Sequence, residues 1–80
     1  EAIEAVALGD RRSSKVIGRS LDELELPSAA TIGGIVRGDK LLIAHHDLII
    51  EPNDHVIIFV MDKAQLPQVE ALFRTAATWI

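Results

Sequence analysis

Apolar residues fall along the chain in short blocks separated by polar turns, and their spacing changes from block to block. The block "IIEPNDHVIIFV", residues 49–60, shows this most clearly. Two apolar runs flank a polar turn in which Pro52 fixes φ and withholds a ladder donor, so Glu51-Pro52-Asn53-Asp54 reads as a tight turn. Asn53 is one of the few non-glycine types that tolerates positive φ, and Asp54 is placed to accept from local amides. The run that follows, His55 to Met61, is apolar at consecutive positions instead of alternating, which predicts a central strand covered on both faces. Helices of the same chain would supply one cover, and a second copy of the domain is a candidate for the other.

The remaining blocks are shorter. "EAIEAVAL" (1–8) suits a helix by composition, but Gly9-Asp10 stops it after barely two turns, so a leading strand is an equal reading. "KVIGRSLDELELP" (15–27) predicts a short strand over Lys15 to Ile17. A single helical turn follows, opened by a capping box between Ser20 and Glu23 and closed before Pro27. "ATIGGIVRGDKLLIA" (30–44) reads as a hairpin, Thr31–Arg37 returning as Leu41–Ala44 around Gly38-Asp39-Lys40. Gly33-Gly34 within its first strand signals a bulge or a close approach by a backbone or ligand, the bulge being the commoner cause. After Asp62, either a 3₁₀-like turn leads into a helix with Pro67 near its first position, or the helix bends there. Leu66, Val69, Leu72 and Phe73 form its apolar stripe. The large side chains of Trp79 and Ile80 close the tail, either packed back on the core or set against another surface. The order β-α-β-β-β-α defines a small α+β domain with a largely antiparallel sheet.

Composition sharpens this picture. Eighty residues make one domain, residues 1–80, with a small core, yet 49% of them are hydrophobic. Either part of that surface is hidden against a partner chain or neighbouring domain, or the excess is alanine and aliphatics tolerated on an exterior. The net charge is −4 and the eight Lys and Arg form no basic stripe, which argues against a nucleic-acid partner. No cysteine is present, so disulfides and thiolate metal sites are ruled out. No apolar run approaches the roughly 20 residues of a membrane span. The chain opens at Glu1 within an Ala/Glu-rich stretch, which suggests a fragment of a longer polypeptide.

No catalytic constellation emerges. The serines lie in loops or caps, and "GGIVRG" lacks the G-x-G-x-x-G spacing and sits in a hairpin instead of between strand and helix. His45 and Asp47 share one side of an extended segment while His46 takes the other, too few ligands for a zinc site. Asp22, Glu23 and Glu25 read as a solvated helix face. Arg37 ends a strand beside the double glycine, and with His45 it would present donors to an anionic small molecule. The competing reading pairs Arg37 with Asp39 or Asp54.

Taken in order, "KVIGRSLDELELP", "ATIGGIVRGDKLLIAHHDLIIEPNDHVIIFV" and "LPQVEALF" resemble the C-terminal lobe of RCK domains, the TrkA-C module. The pairing of "VIGRSLDEL" with a later "EPNDHVIIF" is the most telling part, with Asn53 standing where the family usually has glycine. The resemblance implies a non-catalytic regulatory and assembly lobe of a cytoplasmic protein, peripheral on the inner face of the cell membrane. Such proteins form rings under a membrane potassium transporter and gate it. The resemblance also implies NAD(H) or ATP bound by Rossmann lobes outside this stretch and no cofactor within it. Lobes of the family pair as dimers, and in some relatives bind small regulatory ligands such as cyclic dinucleotides between the copies. Arg37 and His45 are then ligand candidates, and Trp79 and Ile80 interface candidates. Two alternatives remain: the same lobe from another cation transporter or antiporter, and a small-ligand-sensing domain attached to an enzyme.

Overall fold

The computed structural model describes residues 1–75 and 77–80; Ala76, within the tail discussed above, lies outside them. Strand β1 (Ala2–Val6) leads, followed by a long irregular segment that includes one 3₁₀ turn at Leu21–Glu23. Next come β2 (Ala30–Arg37), β3 (Lys40–Ile43) and β4 (His55–Val60). A 3₁₀ turn at Lys63–Gln65 runs into helix α1 (Leu66–Phe73), and β5 (Thr78–Trp79) closes the chain. All five strands form one antiparallel sheet in the order β3-β2-β4-β1-β5, so β4 is central as the apolar run predicts.

Alternation decides which face of the sheet is covered. Ile3 and Ala5 of β1, Ile35 of β2, and Val56, Ile58 and Val60 of β4 point inward and are buried. Against them pack Val69 and Phe73 of α1, with Leu66 and Leu72 partly buried beside them, fulfilling the predicted stripe. Val16, Ile17 and Ile50 from the irregular segments complete the core. Each such aliphatic side chain contributes about 1.5–3 kcal/mol on burial. Pro67 stands in the first turn of α1, where its missing N–H costs nothing, and the Asp62 carboxylate caps the preceding turn by accepting from Ala64 N–H at 3.0 Å.

Two expectations need correction. Residues Lys15–Ile17 form no strand: the Ser14 hydroxyl accepts from the N–H groups of both Val16 and Ile17 at 3.1 Å, bending the backbone so that both apolar side chains enter the core from a turn. The tail forms a further strand, β5, paired with β1 through Ile3–Trp79 and Glu4–Thr78. Among the described residues, β4 is covered on one face, the helix-side cover that its apolar run predicts, and Phe59 on the opposite side is 45% exposed.

Local chemistry accounts for the rest. The Glu23 carboxylate reaches back to the Ser20 N–H at 2.9 Å and also accepts from the Ser20 hydroxyl at 2.9 Å, while the Glu23 N–H donates to the Ser20 carbonyl. These bonds hold the Glu23 carboxyl below its ordinary range, the backbone bond from Ser20 contributing most. The β2–β4 register slips between Ile32 and Gly34, making Gly33 the extra residue of a bulge. A Cβ at Gly33 would fall 2.3 Å from Cε2 of Phe59, so the bulge and the close approach are one feature: the Phe59 ring lies over the glycine.

Candidate functional site

The uncovered face of the sheet is built from the side chains that alternate with the core set. Leu41 and Ile43 of β3 stand opposite Val36 and Gly34 of β2, and β4 adds Ile57 and Phe59. Leu41 is 63% and Ile43 72% exposed, and Met61, just past β4, is 82% exposed. Ile80 donates its N–H to the Ala2 carbonyl at 3.0 Å, which brings it to the β1 edge of this face, 71% exposed. Trp79, one residue earlier, alternates to the helix-covered side, where Lys63 Nζ lies 5.9 Å from its ring centroid. The two residues predicted as an interface pair thus diverge, and only Ile80 joins the open face.

The other predicted pair is also separated. Arg37 Nε donates to Asp54 Oδ1 at 2.9 Å and Nη2 donates to Asp54 Oδ2 at 2.8 Å, a bidentate fork. Its Nη1 meets Glu51 Oε2 at 2.9 Å, and Nη2 also donates to the Ile49 carbonyl at 2.8 Å. The bond to Asp54 raises the Arg37 pKa further, against the opposing effect of burial. Asp54 is the one buried charged residue among those described. Its Oδ2 also accepts from the Glu51 N–H at 2.8 Å, and the adjacent backbone exchanges two 2.8 Å bonds with Ala7. Asn53 holds φ 69°, the left-handed conformation the turn requires. Asp54 is thus the Arg37 partner that the sequence offers as the competing reading, whereas Glu51 and the Ile49 carbonyl carry no sequence signal because they depend on how the turn folds back.

His45 lies past the end of β3, away from Arg37, with its Nδ1 hydrogen-bonded to Asp47. That bond holds the Asp47 carboxyl below its ordinary range. His45, His46 and Asp22 line a surface depression of about 260 Å³ together with apolar Leu21, Leu26 and Ile32. Among the described residues no group of three or more His, Asp or Glu is disposed to hold a metal ion.

Comparisons with known proteins agree with this architecture. The family model for the TrkA-C domain matches residues 11–74. The chain is 53% identical over 79 residues to the Trk system potassium uptake protein TrkA of Halomonas elongata, covering 99% of this chain and 17% of that protein. It is 53% identical over 74 residues to the protein of the same name from Vibrio alginolyticus, covering 92% of this chain and 16% of that one. The chain therefore spans under a fifth of the length of these curated relatives. Among solved structures, an RCK domain with cda superposes with a TM-score of 0.71 at 14% identity, covering 90% of this chain and 97% of that one, a likeness of fold. The RCK_C domain dimer of S. agalactiae BusR in complex with c-di-AMP superposes with a TM-score of 0.70 at 27% identity, covering 89% of this chain and 86% of that one.

Proposed function

Because the chain belongs to the TrkA-C domain family, we propose that it is a non-catalytic regulatory and assembly lobe of a potassium uptake system, and that it acts by pairing with a second copy through the open face of its sheet. The carrying observation is that face: it exposes Leu41, Ile43, Met61 and Phe59 of the central strand, and no other described residue of the chain covers it. A half-sheet of aliphatic and aromatic side chains is what a self-complementary interface needs at its centre. The structure of the BusR lobe as a dimer supports the reading. In this reading the lobe works in the cytoplasm as part of a longer protein, peripheral to the membrane and coupled to a transporter subunit. NAD(H) or ATP would act on parts of the protein outside these residues. No helix among the described residues is long and apolar enough to cross a membrane.

A second role fits the depression beside His45. A small effector bound there, with Asp22 and His46 at its edge, would regulate only as far as it bound the paired and unpaired arrangements differently. Arg37 would contribute to such a site only after leaving Asp54, so the effector contacts are assigned to His45 and its neighbours. The BusR lobe's complex with c-di-AMP supports ligand sensing as a capacity of this fold.

Sedimentation of the chain over a concentration series tests the pairing. Phe59→Asp is expected to weaken self-association by roughly 30-fold or more, the cost of losing an interface hot spot of about 2 kcal/mol. Phe59 is already half-exposed, so the thermal midpoint of the monomer should change little. Unaltered association in this variant would remove the open face from the interface. In the full-length protein, the same substitution should impair potassium-limited growth without lowering protein abundance.

A further inference from the structure

Two charged side chains interrupt the apolar open face. Glu4 of β1 stands between Ile57 of β4 and Thr78 of β5 in the sheet register, and His55 of β4 stands between Val6 of β1 and Val36 of β2. Glu4 Oε1 lies 2.8 Å from His55 Nδ1, with side chains 35% and 45% exposed. A partner that covers Ile57 therefore also covers Glu4 beside it. We propose that self-pairing across this face is proton-linked, with the Glu4–His55 pair as the switch. The proposal rests on the pairing reading above and adds its control.

The sign follows from what a second copy must bury. With His55 protonated, each copy presents a hydrogen-bonded pair of opposite charges and no net charge at the contact. With His55 neutral, each copy brings an uncompensated carboxylate, and a two-fold contact sets two of them into one interface. The −4 that each chain carries with its histidines neutral already includes this carboxylate. Pairing is therefore strong while His55 holds its proton and weakens when His55 loses it.

The other groups around His55 leave Glu4 as its partner. Val6 and Val36 on the two flanking strands are uncharged, and Ile57 is its neighbour on the same face of β4. Thr78, beyond Glu4 on β5, is also uncharged. Arg37 follows Val36, but its guanidinium is held by Asp54, Glu51 and the Ile49 carbonyl. Asp54, next to His55 in sequence, is buried beneath that fork. Lys40 of β3 pairs with Arg37 in register at the hairpin end. His45 and His46 are past the other end of β3, beside the depression.

The test is sedimentation equilibrium at pH 6 and pH 8, at one fixed ionic strength, on the unaltered chain, His55→Gln and Glu4→Gln, with circular dichroism verifying the fold. The unaltered chain should associate at least about tenfold more tightly at pH 6; His55→Gln should lose the difference, and Glu4→Gln, which leaves a protonated His55 without its carboxylate, should lose or invert it. Glu4→Gln should pair at pH 8 about as well as the unaltered chain does at pH 6. A pH-independent association of the unaltered chain, or an undiminished difference in either variant, overturns the proton linkage and leaves the pairing intact. No association at either pH overturns the pairing reading and the linkage with it.

Discussion

Replacing Ile58 by Asp is expected to give a chain with no cooperative thermal transition and a circular dichroism spectrum without sheet. Ile58 is fully buried at the middle of the central strand, opposite Ile3 on β1 and Ile32 on β2. The substitution removes an aliphatic contribution of about 1.5–3 kcal/mol. It also places a carboxylate among apolar neighbours with no cation inside the core to meet it, which costs several kcal/mol more. A domain of this size holds roughly 4–12 kcal/mol in total. Ile57→Asp, one residue earlier on the open face, should still fold, since its carboxylate reaches solvent. The contrast between the two variants is the discriminating result. A well-folded Ile58→Asp chain would refute the assignment of the covered face.

The second large effect is expected at Asp54. Removal of its side chain by Asp54→Ala takes both acceptors of the Arg37 fork and the acceptor of the Glu51 N–H together. Arg37 keeps Glu51 and is itself 31% exposed, so water recovers part of the loss. A destabilisation of about 2–3 kcal/mol is expected, less than for a fully enclosed ion pair. For a domain this small that corresponds to a midpoint lowered by roughly 10–20 °C. Arg37→Met, which removes the cation and keeps the stem, should destabilise because it leaves Asp54 buried without its fork. Restoration of stability in the double variant Asp54→Leu/Arg37→Met would show that the network serves local geometry more than net stability. If Asp54→Ala melts within a few degrees of the unaltered chain, the turn is held by its backbone bonds to Ala7 and the fork is incidental.

How far the fold could be read from sequence depended on whether the deciding interaction was local. The hairpin, the turn at Asn53, the bulge at Gly33 and the helix entering at Pro67 are set by backbone preferences of single residues, and each appears where those preferences put it. Lys15–Ile17 departs from the strand its composition predicts because the preferences of two β-favouring residues are outweighed by the Ser14 hydroxyl and the needs of the core. The same continuous run of apolar residues in β4 signalled burial on both sides, and within one chain only one side is covered. Periodicity records that a face avoids water without recording which molecule covers it. At the candidate site, the resemblance carried the family while the residues carried less. His45 does border a depression, but Arg37 was drawn away by a turn whose three-dimensional closure no spacing rule reveals.

Strand β5 bears on how unfolding of this molecule would be observed. The chain has a single tryptophan, and it lies in a two-residue strand at the sheet edge. Such an edge opens more readily than the strands beneath α1, because few buried contacts hold it. Indole fluorescence therefore reports the loosening of that edge, while far-ultraviolet dichroism reports the sheet as a whole. Melting curves recorded by the two signals should separate, with fluorescence changing first. An emission midpoint taken alone would understate the stability of the core and make a cooperative domain look like one that unfolds in stages.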